Sequence, residues 1–415
     1  MAAPITVGIH TLGCKVNQCD GDRLCRALRA LGLEAGDQAR SQVQVVNTCS
    51  VTATADAKSR KLIRRLIQAN PGAAVVVTGC YAELRPEQLQ AIPGVTAVVG
   101  NGGKESLPEL ILALVAAAPG PPLPPAHRRC RAFVGVQDGC DNCCAYCTVP
   151  HARGAMASRP TAQVVAEVAE LAAAGVREVV VCGIRLGAYR SPSGEGLAHL
   201  LRALRATGIE RIRFSSLEPW DVDDDLLAAI AANPALCPHL HLPAQSGDDQ
   251  VLAAMGRRNR AADFLALAGR LRQARSGLAL STDLLVGFPG ESDQAFQRTL
   301  ELARQAEFCR LHVFKYSPRP GTRAAGLPGQ VPELEKARRS RLLLALGEEL
   351  AARFAQRHLG SRVPVLVERW RAGICQGYAP DYLPVELPGR REWCGQVVET
   401  EIMSAAGGRA MGRPG

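Results

Sequence analysis

The run GCDNCCAYCTVPHARG around residue 140 holds Cys140, Cys144 and Cys147 in C-x3-C-x2-C spacing. Thiolates so spaced can hold three irons of a four-iron cluster and leave the fourth iron open to a ligand. Cys143 adds two C-x2-C pairs, Cys140/Cys143 and Cys144/Cys147, a zinc-like pattern. Four-cysteine zinc sites separate their pairs by about 15–20 residues, so four ligands this close would be cramped. Ordinary packed thiols are the third reading, but grouped loop thiols rarely serve packing. Cys143 is read as a bystander.

Three further cysteines follow apolar runs: Cys14 after ITVGIHTLG, Cys49 after VQVVNT and Cys80 after AVVVTG. If the runs are parallel strands, their C-terminal ends share one edge, where open α/β sheets bind ligands. Thiols 35 and 31 residues apart would then converge and could hold a second cluster with its own open iron. The alternative is three small residues buried at strand ends.

The elements that must position these groups follow from apolar periodicity. Up to about residue 118, short apolar runs at Ile5, Val43, Ala74 and Val95 alternate with helical patterns at Cys19–Leu31 and Ala53–Ala69. That is βαβ order, hence a parallel sheet. Residues 119–126, opening PGPPLPP, form a Pro-rich linker. Over 127–359 the pattern predicts strands at Ala132–Gln137, Glu178–Cys182, Arg211–Ser215, His239–Leu242, Leu280–Val286 and Leu311–Phe314, with helices between them. This is a full or partial (β/α) barrel, whose active site belongs at the C-terminal strand ends. A charged helix from about Pro332 to Leu359 leads to 360–415, where four short strands among Gly, Pro and Asp turns predict a small all-β barrel, followed by a frayed AAGGRAMGRPG tail.

Composition bounds the rest. The 415 residues include 15 cysteines, too many for a reducing compartment unless they serve metal, redox or packing. The longest clean apolar run, Leu110–Ala118, is half of what a membrane helix needs, and MAAPITVGIH lacks a secretion signal, so a cytoplasmic protein with no membrane partner is expected. The net charge of +10 favours a polyanionic partner, and 4% aromatic content disfavours a stacking platform as the main grip. Lys58, Lys61 and Arg65 fall on one helix face at i, i+3, i+7 just after Cys49, a ridge suited to phosphates or a plain solvated face. Arg128, Arg129 and Arg131 make a second basic group. Residues 361–415 hold seven basic and six acidic side chains, so no charge argument for nucleic acid arises there. The histidines lack ligand spacing, and none is assigned to metal.

The C-x3-C-x2-C loop after a first barrel strand resembles the radical S-adenosylmethionine superfamily. TLGCKVNQ, VNTCSVT and VTGCYAE resemble the N-terminal domain of its methylthiotransferase family, so the resemblance spans nearly the whole chain. It implies two 4Fe-4S clusters, one on Cys140, Cys144 and Cys147 that binds S-adenosylmethionine, one on Cys14, Cys49 and Cys80 that carries the transferred sulfur. It also implies tRNA as substrate, a flavodoxin-like one-electron donor and a TRAM-like C-terminal barrel. Cofactor-lining roles are implied for Tyr146, for Gly183 in VCGIRLGAY, for Ser216 and Glu218 in SSLEP, and for Gln245 and Ser246 in LPAQSG. LLVGFPGES resembles the segment near the adenine. The family's Gly-Gly-Glu is absent from this chain, so Gly183 alone carries over there.

Family members act on isopentenyladenosine 37 of tRNA, on threonylcarbamoyladenosine 37, or on an aspartate of a ribosomal protein. Lys15-Val16-Asn17 after Cys14 resembles the threonylcarbamoyladenosine branch, whereas Gln-Met-Asn marks the isopentenyl branch. The rival from another class is a non-catalytic iron–sulfur RNA-binding sensor, which would not need cofactor segments at successive strand ends.

Overall fold

The structure is a computed structural model that describes residues 6–36, 41–116 and 130–415. The expected linker and the pair Arg128–Arg129 lie outside the described residues. Contacts divide the chain into two units. One takes the described residues of Met1–Arg128 with Asp138–Cys143 and Cys147–Ala157; the other takes those of Arg129–Gln137, Cys144–Tyr146 and Ser158–Gly415.

In the first unit, β1 (Thr6–Thr11), β2 (Glu34–Gly36), β3 (Val43–Thr48), β4 (Ala74–Gly79) and β5 (Ala97–Val99) form a sheet in the order β2-β1-β3-β4-β5. Every pairing is parallel. All six residues of β3 are buried, which explains its unbroken apolar run: a parallel strand is covered on both faces. Leu24, Leu28, Leu107 and Ile111 cover one face over Val7, Val43 and Val76. Ile63, Leu66 and Tyr81 cover the other over Val46, Val75 and Val77. The first helix is Lys15–Ala30, so it starts four residues before the expected Cys19. Cys14 is its N-cap, and the Cys14 carbonyl accepts from Gln18 N at 3.2 Å.

The second unit holds β6 (Arg131–Asp138), a two-residue β7 (Ala157–Ser158), β8 (Glu178–Gly183), β9 (Arg211–Phe214), β10 (His239–His241), β11 (Ala279–Val286) and β12 (Arg310–Lys315). The sheets β7-β6-β8-β9 and β10-β11-β12 are joined by parallel bridges Ile212–Leu236 and Ser216–His241. The strand sequence β6-β8-β9-β10-β11-β12 is thus a partial parallel barrel, with helices such as Thr161–Ala173, Ala261–Ala274 and Asp293–Gln305 between strands. Asp223 caps the helix Asp224–Ala232 by accepting from Leu226 N at 2.8 Å, as an acidic helix start should.

The helix Glu333–Gln356 links two cores. Leu343, Leu346 and Leu350 enter the partial-barrel core, and Ala355 enters the next one. That core is a closed barrel of β13 (Arg362–Arg371), β14 (Ile374–Tyr378), β15 (Pro384–Pro388), β16 (Val397–Ala406) and β17 (Arg409–Pro414), in the order β13-β14-β15-β17-β16. The expected frayed tail is therefore wrong. Gly407 and Gly408, at φ 56° and 73°, make the two-residue turn that right-twisted hairpins favour, and β17 pairs back along β16. Without it the barrel could not close.

Arg131 is no free basic group either. It pairs with Glu368 at 2.6 Å and lies 3.6 Å from Glu178. Glu178, 1% exposed, also pairs with Arg213 at 2.9 Å and Arg211 at 3.2 Å. Arg213 donates to the carbonyls of Pro380 and Ala379, and Arg211 to those of Pro364 and Tyr378. One buried carboxylate thus sets guanidinium groups that hold the closed barrel. Glu178→Ala would leave them uncompensated, and urea titration should show a loss of about 3–5 kcal/mol. A loss below about 1 kcal/mol would mean the network is incidental.

Candidate functional site

β1, β3 and β4 are neighbours, and each ends at a cysteine-bearing turn: Cys14 three residues past β1, Cys49 directly after β3, and Cys80 as the first residue of the helix Cys80–Leu84. Two of these turns need glycine. Gly79 has φ 97°, and a Cβ there would lie 2.4 Å from the Thr48 carbonyl oxygen. Gly13 has φ 100°, and a Cβ there would lie 2.9 Å from Cys49 Sγ. The three turns bring the thiols near one another: Cys14 with Cys80, and Cys49 with both, are close enough to interact electrostatically. Burial pushes the Cys49 thiol up to about 11, with the backbone N–H of Val51 pulling it down and the other two thiols adding to the rise. Cys14 is exposed as a residue, yet the protein packed around its sulfur pushes that thiol up as well. Among the described residues no three His, Cys, Asp or Glu side chains stand in a closed metal-binding arrangement. What the fold supplies is three converging soft donors, which fit iron–sulfur ligation better than hard cations.

Sequence reasoning missed the groups that tie these turns together. Asn17, 1% exposed, donates through Nδ2 to the carbonyls of Leu12 at 2.7 Å and Thr48 at 3.0 Å. Its Oδ1 accepts from Arg153, and Asn47 Nδ2 donates to its carbonyl at 2.9 Å. Arg153 has a buried side chain paired with Asp20 at 3.0 Å and Asp138 at 2.8 Å, and its charge acts on Cys14 and Cys80. Asn101 Nδ2 lies 3.9 Å from Cys80 Sγ and also donates to the Ala152 carbonyl at 2.5 Å. Asn17 lies in the quoted motif, so its position was visible. Its role was not, because the letter does not say whether an amide is buried.

The second cysteine loop follows β6. Gly139, at φ 73°, leaves no room for a Cβ, which would sit 2.0 Å from the Ala155 carbonyl oxygen. Backbone N–H groups of Asn142 and Val149 donate to the sulfurs of Cys140 and Cys147, each at 3.4 Å. Such donors suit cluster thiolates. Within the second unit, Ala145 N donates to the Met255 carbonyl and Ala324 N to the Ala145 carbonyl, each at 2.8 Å, which fixes the strip carrying Cys144. Burial pushes the Cys144 thiol up, with Arg257 pulling it back. Tyr146 meets Phe288 of LLVGFPGES edge-on at 6.4 Å, so two segments singled out in the sequence touch. Glu291 of that segment, raised by burial, accepts from Gly287 N and from Arg339 and holds the turn. Cys143 is exposed, with its thiol 3.8 Å from the Asp141 carbonyl.

The other expected residues fall at C-terminal strand ends. Gly183 ends β8, where a Cβ would meet Gln137 Oε1 and Leu186 Cα, each at 2.9 Å. Ser216 and Glu218 follow β9 and are half-buried, and Glu218 is paired two-pronged with Arg257. Gln245 follows β10 with φ 67°, and its backbone bridges to β11. Ser246 is buried, with its hydroxyl taken by Asp248 N and Thr299. Lys58, Lys61 and Arg65 are all exposed on the helix Ala53–Ala69. Arg60 beside them turns inward to the Tyr81 hydroxyl.

Comparison with known proteins follows this division. Residues 6–100 match the family described as uncharacterized protein family UPF0004, and residues 134–303 match the radical SAM superfamily. The chain is 37% identical over 400 residues to the threonylcarbamoyladenosine tRNA methylthiotransferase MtaB of Thermotoga maritima, covering 93% of this chain and 92% of that protein. It is 34% identical to the protein of that name in Bacillus subtilis, covering 96% and 94%. It is 38% identical to the tRNA-2-methylthio-N(6)-dimethylallyladenosine synthase of Maricaulis maris, covering 96% and 94%. Among solved structures, the radical S-adenosylmethionine methyltransferase TsrM of Kitasatospora setae aligns with a TM-score of 0.57 over 78% of this chain and 77% of that one. At 19% identity this is a likeness of fold.

The raised Cys49 thiol makes a direct test. Metal-free protein should resist carboxymethylation at Cys49 at pH 8 and become reactive as pH approaches about 11. The neutral thiol's share of stability is present below the ordinary value of 9.0 and is lost as pH rises through about 11. Half-maximal reactivity near 9 would show that Cys49 is not desolvated.

Proposed function

The chain belongs to the radical S-adenosylmethionine methylthiotransferase family, and from that premise we propose that it adds a methylthio group to carbon 2 of N6-threonylcarbamoyladenosine at position 37 of tRNA. The observation that carries this reading is the convergence of Cys14, Cys49 and Cys80 on one sheet edge, joined to a separate C-x3-C-x2-C loop. A radical enzyme needs one cluster. A second thiol triple gives a place for the sulfur that is transferred.

Cys140, Cys144 and Cys147 would hold the cluster that binds S-adenosylmethionine, and Cys14, Cys49 and Cys80 the one that carries sulfur. When bound, the first supplies one-electron cleavage of the S-adenosylmethionine sulfonium, and the second presents a nucleophilic sulfur for methylation. The chain's own residues do the positioning. Tyr146 and Phe288 offer an aromatic wall for the adenine, and Gly183, Ser216, Glu218, Gln245 and Ser246 line the strand ends where the cofactor would lie. Lys58, Lys61 and Arg65 would meet tRNA phosphates, and the closed β-barrel would act as a TRAM-like RNA contact. A flavodoxin-like protein would deliver the electron, in the cytoplasm where tRNA is modified.

Identity alone does not choose the nucleoside, since relatives of both tRNA branches match at 37% and 38%. Lys15-Val16-Asn17 supports the threonylcarbamoyl branch. Asn17 and Val16 are buried, which leaves Lys15, half-buried beside Cys14, as the letter able to offer charge to the substrate's carboxylate.

Nucleoside mass spectrometry of tRNA from cells lacking the gene tests the whole reading. The methylthio form of threonylcarbamoyladenosine should vanish while its precursor persists. Loss of the methylthio group from isopentenyladenosine instead would place the enzyme in the other branch, and no change in either would end the tRNA assignment. Replacing Cys14, Cys49 and Cys80 together by Ala should leave about half the iron, with the Cys140 loop still loaded. Changing Lys58, Lys61 and Arg65 to Ala should weaken tRNA binding and lower the salt-dependence slope by about 1 per lost phosphate contact. An unchanged slope would make the helix a plain solvated face.

A further inference from the structure

The last three strands of the partial barrel turn a polar face away from the core. Leu240 and Leu242 of β10, Leu280, Leu284 and Val286 of β11, and Leu311 and Val313 of β12 pack into that core. Side chains alternate along a strand, so His241, Ser281, Asp283, His312 and Phe314 share the opposite face. Register sets His241 beside Ser281 and Asp283 beside His312. Ser281 Oγ lies 3.0 Å from His239 Nε2 and from His241 Nδ1, and His241 Nε2 lies 3.2 Å from Asp283 Oδ1. The His241 and His312 rings meet edge-on, with centroids 5.5 Å apart. Asp283 keeps 27% of its side chain exposed, and its Oδ2 has no partner among the described residues. Phe314, two residues past His312, is 38% exposed. An interior filled only for packing would place branched apolar side chains here. The face adjoins the expected cofactor residues without including them: Gln245 N donates to the Asp283 carbonyl at 2.9 Å, and a bridge pairs Ser216 with His241.

We propose that Asp283, His312 and Phe314 form the subsite that holds the modified adenine and selects a threonylcarbamoyl substituent over an isopentenyl one. The inference rests on the reading of threonylcarbamoyladenosine as the substrate. That substituent is joined through a urea, which offers N–H donors and a carbonyl acceptor. An isopentenyl tail is hydrocarbon and offers neither. A carboxylate only accepts hydrogen bonds, so Asp283 Oδ2 matches the urea N–H groups, and an imidazole N–H of His312 matches the carbonyl. Asp283 is negative, so the threonyl carboxylate must lie away from it, which sets the direction of the substituent. Phe314 offers a ring face on which a purine stacks. His241, held by Ser281 through one ring nitrogen, fixes Asp283 through the other. An isopentenyl tail seated here would strip water from Asp283 and His312 and return no hydrogen bond. Sites built to hydrogen-bond a substrate group reject the analogue that lacks it for this reason.

Binding of three anticodon stem-loops gives the test. They differ only at the nucleoside of position 37, which is threonylcarbamoyladenosine, isopentenyladenosine or plain adenosine. Full-length protein is reconstituted anaerobically with iron and sulfide, and Kd for each loop is read by fluorescence anisotropy. The parent should bind the threonylcarbamoyl loop most tightly. His312→Phe and Asp283→Leu should each weaken that loop about tenfold or more, with no comparable loss for the plain-adenosine loop. Asp283→Asn, which keeps the shape and one acceptor, should lose less than Asp283→Leu. Phe314→Ala should weaken all three loops, since every one presents a purine. A merely structural role would lower binding of the three loops equally, and equal losses in His312→Phe and Asp283→Leu would overturn the proposal. So would variants that hold full iron and bind as the parent does. Should Asp283→Leu fail to fold, His312→Phe and Asp283→Asn carry the same comparison. The premise is read separately, in turnover by the parent. Methylthiolation of the isopentenyl loop and not of the threonylcarbamoyl loop would remove the substrate reading, and this inference with it. If the parent turns over the threonylcarbamoyl loop and the variants discriminate as it does, the inference alone falls.

Discussion

In a parallel sheet every strand ends on the same edge, and the first unit is built around that constraint. β1, β3 and β4 are adjacent in the sheet although helices separate them in sequence. A cysteine set just past each strand end is therefore delivered to one place by topology alone. Local chemistry then closes the arrangement. Gly13 and Gly79 take backbone angles that other residues resist and leave the space a Cβ would fill. Asn17 joins the loop before Cys14 to the end of β3 through two amide hydrogen bonds. The wall behind these turns is not fully satisfied: Asn47 Oδ1 and Thr78 Oγ1 are buried without partners among the described residues.

Each cysteine set has a buried arginine whose charge acts on at least one of its thiols. Thiols crowded in a dry site resist ionisation, since each thiolate would be desolvated and would face its neighbours. Metal ligation reverses that preference, because the ion supplies the positive charge. A fixed cation nearby narrows the gap between the two states. Arg153 has that place by Cys14 and Cys80, and Arg257 has it by Cys144. Both are themselves balanced by carboxylates, Arg153 by Asp20 and Asp138, Arg257 by Glu218. Neither charge is buried alone, which is what makes it tolerable.

Much of this was legible in the letters, and the exceptions share a cause. Apolar runs marked the long buried strands, since a strand covered on both faces has no reason to alternate. The cysteine positions followed from those runs. Misses came where identity does not report surroundings. The helix expected from Cys19 starts at Lys15, because polar residues there hid a helix start that Asn17 supports with buried hydrogen bonds. AAGGRAMGRPG read as frayed because Gly-rich tails usually are; here the two glycines are the turn that lets the last strand pair. Arg131 counted as a free positive charge, and Arg153 and Arg257 went unremarked. An arginine in an ion pair is spelled like one in water, and the partners lie far off in sequence.

The partial barrel assigns different work to the two ends of the same strands. Arg131 opens β6, Glu178 opens β8 and Arg211 opens β9, and these N-terminal ends carry the ion network that holds the closed barrel. Gly183 closes β8, Ser216 follows β9, Gln245 follows β10 and Gly287 follows β11, and these C-terminal ends carry the segments proposed to line the cofactor. A charge cluster is safe at the first end because nothing there has to move, bind or turn over. At the second end glycines and a left-handed Gln245 gather, backbone that the proposed ligand could approach closely. The ion network and the proposed chemistry thus lie a strand's length apart. A substitution such as one at Glu178 acts on the ion network at the first end, a strand's length from the segments at the second.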